Sequence, residues 1–576
     1  MKISKIKIHN FRSITDAEIS ISGFLMLVGA NNVGKSNVIN ALRCFYEDLK
    51  WNQDDFPKVK TNDSDVWVQI TYLLTDNEWS NLADKYKKNA PSQELTLRRY
   101  FVGSDVSTKQ SNIHAIVDGV EEKEMFYGAK NVSAAKCGNI IYIPALTTPA
   151  EQMKTTGPSP LKNILSFMLK KIVKKSNAFG ELNTAFENFN NEAKKEAGFL
   201  TEIQSPLNDA LNNWGIEIDF SISSIAADDI VKNLISCSFI DTTLAGNGLE
   251  LSKYGHGFQR SVIYELIKIA PQFKDESEAT KKDFNPDLTL ILFEEPEAFL
   301  HPAQQENMAT NLRDLSSEIG QQVFITSHSP IFVGKNSDNI GQICRLSKSN
   351  GITKIHQMPD NNPNSLFADN CDLIHEIQNF SNSASCDAGR KNKIEKFLRD
   401  YSSDVVAQQK DRFRFQLWLN TDRAAMFFAD KVLLVEGETE KALFNYLLAH
   451  DWKDLSAQHI FVVNALGKYN FYRYMSLFSY FGIYHGMMFD NDNDKNEHIV
   501  INQFIKDNQN IYSLGTPYLF NKNLENFLDI SIPGNDEMKP LQVLKHLEEK
   551  TLINHETKLE ELKAIFCQVL NITQGD

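Results

Sequence analysis

The sequence predicts an α/β protein, and three observations lead to this fold class. An apolar run at residues 24–28 ends in a glycine-rich loop and is followed by a helix-like stretch. Strand-like apolar runs at residues 288–293 and 322–326 end in acidic and histidine side chains. Two more, at residues 432–435 and 487–489, run into acidic residues. Each strand delivers these side chains to its carboxyl end, where the sequence predicts binding sites.

Length and composition are those of a multi-domain globular protein. The chain has 576 residues, and single cores stop growing at roughly 250 to 300 residues, so we expect two to four domains. A net charge of −14 excludes a surface that is basic throughout, so any DNA binding needs local Lys/Arg patches or bound metal. Scattered cysteines without C-x-x-C pairs, and the lack of a signal-peptide core or a span of ~20 apolar residues, predict a cytoplasmic protein that is not in a membrane.

Changes in amino-acid composition and in the spacing of apolar residues divide the chain into five segments. The first domain is interrupted by a polar stretch with apolar residues at helical spacing, which predicts a helical insertion. A stretch rich in Asn, Asp and Ser at residues 361–385 predicts a loop, which opens a linker and helical connector. A second α/β domain follows. The predicted segments are residues 1–150, 151–215, 216–370, 371–428 and 429–576.

The glycine-rich loop matches the phosphate-loop pattern G-x4-G-K-[ST] in full. Its glycines let backbone N–H groups wrap the phosphates of ATP, Lys35 reaches the β- and γ-phosphates, and Ser36 binds Mg²⁺. The order of strand, loop and helix argues against an ordinary glycine turn. The candidate ATP-binding residues of this loop are Gly29, Asn31, Asn32, Gly34, Lys35, Ser36 and Asn37.

Three further segments complete a candidate ATPase site. Glu294 and Glu295 follow a buried strand, where the first would orient Mg²⁺ and the second would polarise the attacking water. His328 follows another strand, at a place that resembles the position of the γ-phosphate-sensing histidine of ABC ATPases. Gly255 and Gly257 lie in a segment that resembles the ABC signature, and this resemblance implies a helix whose amino terminus faces the nucleotide of a partner subunit. An acidic surface turn and a structural histidine are the simpler alternatives.

A second group of carboxylates lies in the last domain. Glu436 and Glu440 are separated by four residues at a strand-to-helix turn, so both can face one metal ion. Asp490, Asp492 and Asp494 alternate after a later strand and offer hard oxygens to a divalent cation. A helix cap with solvated glutamates and an acidic surface loop are the alternatives.

These motifs together resemble a known family. The segment at residues 7–12, the phosphate loop, the Gly255–Gly257 glycines and the motifs at residues 294–302 and 326–330 resemble the OLD (overcoming lysogenization defect) proteins. The resemblance implies an ABC-type ATPase head, similar to RecF-type and structural-maintenance-of-chromosomes ATPases, with a helical dimerisation insertion and a C-terminal Toprim α/β domain. Such proteins occur in anti-phage defence systems of Gabija or retron type.

The same resemblance implies a two-metal nuclease site. Glu436, Asp490 and Asp492 match its core ligands, Glu440 and Glu525 match a second metal, and Asp494 is an additional candidate. The ions would be Mg²⁺ or Mn²⁺. Lys539 matches a lysine that stabilises transition-state charge, and Lys468 is a competing phosphate contact. For the approach of DNA the candidates are Lys162, Lys170, Lys171, Lys174, Lys175, Arg412, Arg414, Arg423 and Arg473.

Two functions follow as expectations. The first is an ATP-regulated, metal-dependent DNA endonuclease or nickase that acts on DNA, including phage DNA, as a homodimer or larger homo-oligomer. Its system partner would be a helicase or a retron reverse transcriptase with its RNA and DNA. The second is an ATP-gated DNA clamp or sensor whose Toprim domain is structural. Whether ATP drives or restrains cutting is left open by the sequence.

Overall fold

The computed structural model describes most of the chain. The described residues are 1–87, 92–103, 106–107, 110–128, 137–145, 164–165, 168–169, 172–173, 176–195, 198–211, 215–220, 240, 253–269, 284, 286–334, 337–359, 364–384, 386–399, 421–492, 496–531 and 538–573.

Strands occur in both halves of the chain and form three sheets. In chain order they are β1 (Lys2–Phe11), β2 (Ile14–Ser20), β3 (Leu25–Val28), β4 (Val66–Leu73), β5 (Glu94–Val102), β6 (Ile113–Val117), β7 (Val120–Met125), β8 (Asn139–Ile143), β9 (Thr289–Glu294), β10 (Gln321–Thr326), β11 (Ile343–Ser349), β12 (Ile352–Gln357), β13 (Lys431–Val435), β14 (Ile460–Asn464), β15 (Tyr484–Asp490) and β16 (Tyr518–Phe520).

Helices alternate with these strands and also form the insertion and the connector. In chain order they are α1 (Lys35–Phe45), α2 (Asp76–Asn81), α3 (Asn177–Ala193), α4 (Phe199–Leu211), α5 (His256–Ile269), α6 (Pro302–Ser317), α7 (Pro330–Val333), α8 (Asn364–Ser381), α9 (Ala388–Arg399), α10 (Thr421–Ala424), α11 (Glu438–His450), α12 (Phe471–Phe481), α13 (Asn496–Asp507), α14 (Leu524–Phe527), α15 (Lys539–Glu548) and α16 (His555–Val569). None in the described part of the chain combines the length and the apolar character that a bilayer crossing requires.

Two six-stranded sheets form the first domain. One is antiparallel, in the order β2-β1-β4-β5-β6-β7. The other has the order β12-β11-β3-β10-β9-β8 and is parallel except at β12. All six residues of β9 and of β10 are buried, as expected for central strands covered on both faces. The predicted α/β class is confirmed.

The last domain is built on a third sheet, of four parallel strands in the order β14-β13-β15-β16. Val432, Leu433, Leu434 and Val435 of β13 are fully buried. One apolar core runs from this domain into the ATPase half and includes Phe293, Phe427 and Phe481 with many others. The two domains therefore share packed interior rather than touching only at their surfaces.

The segment at residues 361–385 corrects an expectation. Its Asn, Asp and Ser content predicted a loop, but residues 364–381 form the eighteen-residue helix α8. Leu366, Leu373 and Ile377 of this helix are 0%, 7% and 3% exposed and belong to the shared core. Burial of these apolar residues outweighs the weak helix propensity of their polar neighbours.

Candidate functional site

The glycine-rich loop joins β3 to α1 through two glycines with positive φ angles. Gly29 has φ 137°, and Gly34, which caps α1, has φ 107°. A Cβ on Gly29 would overlap the carbonyl oxygen of Leu346, and one on Gly34 would overlap the hydroxyl of Thr353. Both positions need glycine because another residue has neither a favourable backbone conformation nor space there.

Lys35 begins α1, and its side chain turns back over the loop. Its Nζ donates hydrogen bonds to the carbonyl oxygens of Gly29 and Ala30, at 3.0 and 2.8 Å. Burial lowers the pKa of Lys35 to about 8, although nearby glutamates act in the opposite direction. A partly desolvated ammonium group beside a helix amino terminus forms a site for a phosphate chain.

The asparagines of the loop occupy different environments. Asn31 and Asn32 are exposed, and Asn32 has φ 61°. The amide nitrogen of Asn37 donates to the Ser13 hydroxyl at 2.8 Å, and its amide oxygen accepts from Arg12 at 3.4 Å. Asn37 thus links α1 to the turn between β1 and β2, and its contact with ATP stays a prediction.

Glu294 lies at the same sheet edge as the phosphate loop, because β3 and β9 both pair in parallel with β10. It is 7% exposed, and its Oε1 is buried without a hydrogen-bond partner. Burial raises the pKa of Glu294, while a hydrogen bond with Ser36 acts in the opposite direction. A buried carboxylate oxygen without a partner, beside a hydroxyl group, fits a Mg²⁺ shell.

Glu295 faces the open side of this edge. Its N–H donates to the carbonyl oxygen of Thr326 at 2.9 Å, and its backbone has φ 46°. Its Oε1 lies 3.7 Å from Nε2 of His328. Burial and the charge of Lys35 lower the pKa of His328, so a neutral imidazole faces the carboxylate at pH 7.

Glu297 is a site residue that the sequence reasoning missed. Its Oε1 accepts hydrogen bonds from the Ser327 hydroxyl at 3.0 Å and from the His328 N–H at 2.6 Å. Its Oε2 is buried without a partner, and burial raises the pKa of Glu297. It fixes the backbone that carries His328. Its place as the third glutamate of the run that begins at Glu294 was the available signal.

The predicted signature glycines lie at the start of α5. The carbonyl oxygen of Gly255 accepts from the Gln259 N–H at 3.1 Å, and a Cβ on Gly257 would lie 3.4 Å from the carbonyl oxygen of Phe299. Phe258 and Phe299 are 51% and 58% exposed. The start of the helix therefore lies at the surface, beside the segment that follows Glu295.

In the last domain, the carboxyl ends of parallel strands bring the predicted acidic residues together. Glu436 follows β13, and Asp490 ends β15; the Asp490 N–H donates to Glu436 Oε2 at 3.2 Å. Glu440 lies in the first turn of α11, where its Oε2 accepts the Gly437 N–H at 3.0 Å. Glu525 lies in α14 and is 4% exposed.

The acidic residues change one another's protonation. Burial, with the charges of Glu440, Glu436, Asp492 and Glu525, raises the pKa of Asp490 to about 8. Burial, with the charges of Glu436 and Glu525, raises the pKa of Glu440 to about 7. Carboxylates that repel one another in a buried site are stabilised by a cation.

The donor set fits a hard divalent metal. Asp490 Oδ1 is buried without a hydrogen-bond partner, and the surrounding oxygens are those that Mg²⁺ and Mn²⁺ prefer. The positions of these side chains fit less well than their chemistry: within the described residues, no three side chains of His, Cys, Asp or Glu surround one point closely enough to hold a metal, so a bound ion would have to draw them together. When bound, such a metal supplies Lewis-acid activation of a phosphodiester oxygen.

The structure places the predicted lysines and arginines in different environments. Lys468 is 1% exposed and lies 3.3 Å from Asp492, and Lys539 begins α15. Arg423 and Arg473 are 9% and 7% exposed, which leaves little of either side chain at the surface, and their contact with DNA stays a prediction. Outside the described residues lie Asp494, Lys162, Lys170, Lys171, Lys174, Lys175, Arg412 and Arg414.

Family comparisons agree with both halves of this architecture. Residues 1–333, more than half of the chain, match the AAA ATPase domain family. Residues 427–492 match the TOPRIM domain of overcoming lysogenization defect protein-like sequences. The chain belongs to the AAA ATPase domain family and carries an OLD-like Toprim domain. It is an ATPase–Toprim protein, and the resemblance predicted from its motifs is confirmed.

Two curated nucleases are similar to this chain over most of its length. The Old nuclease of Escherichia phage P2 is 23% identical over 585 residues, which cover 98% of this chain and 89% of the phage protein. The endonuclease GajA of Bacillus cereus strain VD045 is 21% identical over 513 residues, which cover 85% of this chain and 75% of that protein.

The solved structures that the chain matches include two heads of structural-maintenance-of-chromosomes proteins. An SmcHead bound to the C-winged helix domain of ScpA has a TM-score of 0.36 at 17% identity and covers 62% of this chain and 98% of its own. The SMC head domain from Thermotoga maritima has a TM-score of 0.29 at 14% identity and covers 62% of this chain and 100% of its own.

Proposed function

We propose that this OLD-family protein is a divalent-metal-dependent DNA endonuclease or nickase governed by its ATPase head. The observation that carries the proposal is the buried carboxylate site at the end of β13 and β15, where Asp490 has an oxygen without a partner. Relatives named nuclease and endonuclease support a DNA substrate. Acidic residues that share one buried site, with raised pKa values, are typical of a metal centre.

In the ATPase half, each group has a role that its position supports. Lys35 binds the β- and γ-phosphates, and Ser36 with Glu294 holds the Mg²⁺ of ATP. Glu295 orients and polarises the attacking water, because its carboxylate faces the open side of the sheet edge. His328 contacts the γ-phosphate as a neutral donor.

In the Toprim half, Glu436, Asp490 and Asp492 hold one metal at the ends of β13 and β15. Glu440 and Glu525 extend the site towards a second metal, which the charge coupling among these groups supports. Lys539, at the start of α15, stabilises charge on the transition state, and Asp494 is an additional ligand.

We also propose that the protein is a homodimer or larger homo-oligomer joined by its helical insertion. The insertion helices α3 and α4 expose Leu182, Phe189, Phe199, Ile203 and Leu207. Apolar side chains on a two-helix unit suit an interface between copies. The exposed Phe258 beside Gly257 supports a second contact, between ATPase heads.

The biological role that we propose is anti-phage defence in the cytoplasm. Its partner would be a helicase of a Gabija-like system or a retron reverse transcriptase with its RNA and DNA. The likeness to GajA favours the first of these. The seven cysteines, of which Cys44, Cys137, Cys344 and Cys567 are free and buried, suit a reducing compartment.

Cleavage of supercoiled plasmid by the purified full chain tests the proposal. With Mg²⁺ or Mn²⁺ we expect nicked or linear product, and Glu436→Gln should lower the rate by at least about 100-fold because a metal ligand is lost. Glu549→Gln, an exposed carboxylate of the same domain, is the matched control and should leave cleavage unchanged.

The alternative function is an ATP-gated DNA clamp or sensor with a structural Toprim domain. It predicts ATP-dependent DNA binding, no plasmid cleavage with either metal, and no effect of Glu436→Gln. Metal-dependent cleavage that disappears in Glu436→Gln excludes it.

A further inference from the structure

The ammonium group of Lys468 lies inside the carboxylate site. Its Nζ is 3.3 Å from Asp492 Oδ2 and 3.9 Å from Glu436 Oε2, and it donates to the backbone carbonyl oxygen of Asp490. Its side chain is 0% exposed. Nδ1 of His498 is 3.2 Å from the same nitrogen. This ammonium group therefore lies within 4 Å of carboxylate oxygens of Glu436 and Asp492 and donates to the backbone of Asp490.

The backbone around Lys468 is tied to the strand that carries Glu436. The Gly467 N–H donates to the Glu436 carbonyl oxygen at 2.9 Å, and the Ala465 N–H donates to the Val435 carbonyl oxygen at 2.8 Å. Gly467 has φ 102°, a conformation that glycine adopts without strain. The position of the ammonium group is thus set by the turn that follows β14.

A second set of hydrogen bonds, from the side chain of Asn470, stabilises this turn. The side-chain nitrogen of Asn470 donates to the carbonyl oxygens of Ala465 and Leu466, at 2.9 and 3.0 Å. Asn470 is 8% exposed, and Lys468 lies between it and Gly467 in a short helical turn. A lysine held this way is a built part of the site and not a surface side chain folded inwards.

We propose that Lys468 is the internal counter-cation of the nuclease site and that a divalent metal must displace its ammonium group in order to bind. The inference rests on the metal-dependent function proposed above. Lys468 and a metal at Glu436 and Asp492 would occupy the same oxygens, and two cations a few ångström apart in a partly buried site repel strongly. Lys468 is therefore a positioning residue that sets the metal affinity of the site.

Direct Mn²⁺ titration of the full chain, without nucleotide, tests the proposal. Lys468→Met removes the competing charge and keeps most of the side-chain volume, so Mn²⁺ should bind the carboxylate site at least about tenfold more tightly than in the wild type. The isotherm of Glu436→Gln serves as the baseline for Mn²⁺ bound elsewhere. Lys563→Met is the matched control, because Lys563 pairs with Asp454, outside this site.

The outcomes separate this inference from the proposed function. Unchanged or weaker Mn²⁺ binding by Lys468→Met overturns the inference, because a merely structural lysine could only lower the affinity when removed. Absence of site-specific Mn²⁺ binding in both proteins overturns the inference and the proposed metal dependence together. If Lys468→Met does not fold without metal, its folding should be restored by Mn²⁺, and failure of Mn²⁺ to restore it contradicts the displacement.

Discussion

Arg345, in the ATPase sheet, donates a hydrogen bond from Nη1 to the carbonyl oxygen of Gly482, in the Toprim half, at 2.9 Å. The same guanidinium donates to the carbonyl oxygens of Phe481, Phe427 and Ala429, each at 3.0 Å. Arg345 is 4% exposed, and burial lowers its pKa to about 10. One side chain therefore satisfies four backbone acceptors across the junction of the two domains.

This junction connects the two candidate sites through short stretches of chain. In the parallel pairing of β11 with β3, Arg345 is opposite Val28, the residue before Gly29 of the phosphate loop. The carbonyl groups it holds come just before β13 and β15, whose far ends carry Glu436 and Asp490. Arg345 therefore lies between the strand that leads into the phosphate loop and the two strands that lead to the carboxylate site.

We expect Arg345→Met to lower the free energy of unfolding by about 3–5 kcal/mol, because four buried carbonyl groups lose their donor. Urea unfolding of the full chain measures this loss. Lys348→Met, an exposed position on the same strand, is the control and should change stability by less than about 0.5 kcal/mol. A loss below about 1 kcal/mol in Arg345→Met would mean that water replaces the guanidinium.

Lys35→Ala should lower ATP hydrolysis at least about 100-fold, because the charge that meets the β- and γ-phosphates is removed. Plasmid cleavage over a series of ATP concentrations then measures the coupling of the two sites. Wild-type cleavage should change with ATP and that of Lys35→Ala should not, while the exposed Lys50→Ala should follow the wild type. If the rate of plasmid cleavage does not depend on ATP concentration in either protein, nucleotide control of the nuclease is contradicted.

Glu297→Ala should slow ATP turnover by about 10- to 100-fold with little change in ATP affinity, because His328 loses the acceptor that fixes its backbone. Glu297→Gln keeps an amide oxygen for the same two donors and should retain most of the activity. Steady-state ATPase kinetics separate kcat from KM. Equal decreases in kcat in the two variants would show that ATP turnover depends on the charge of Glu297 and not on its hydrogen bonds.

Because of His356, we expect the free energy of unfolding to decrease in acid. This residue lies at the domain junction. Its Nε2 lies 2.7 Å from the Ser347 hydroxyl, and a Cβ on Gly482 would overlap its ring. Burial, with the charges of Arg345 and Lys354, lowers the pKa of His356 to about 4. The folded state therefore binds fewer protons than the unfolded state between the ordinary value of 6.5 and about 4.

Stability from this group is fully present above pH 6.5 and decreases as the pH falls towards 4, by about 1–3 kcal/mol in all. Urea unfolding of the wild type and of His356→Gln over this range measures the effect, and the variant should lose less stability. His450→Gln, at an exposed helix end, should behave as the wild type. Identical pH profiles for the wild type and His356→Gln would contradict the prediction.

The sequence located the parts of both sites that depend on short stretches of chain. The phosphate loop, Glu294 with Glu295, and Glu436 each follow a buried strand, and strand ends can be read from apolar runs. The role of Glu297 was missed because its partners, Ser327 and His328, are about thirty residues away, just after strand β10. Helix α8 was missed because its local composition favours a loop while its burial favours a helix.

The sequence by itself determined the fold class and the ATPase and Toprim domains, and it predicted the groups that bind ATP and metal, since each needs only a pattern within a few neighbouring residues. The tertiary structure decided which residues those groups contact. It buried Lys468 among the carboxylates and directed Arg345 towards four carbonyl groups of the other domain. Partners this far apart along the chain come together only when the three sheets and their shared core have packed, because burial and charge are properties of that packing.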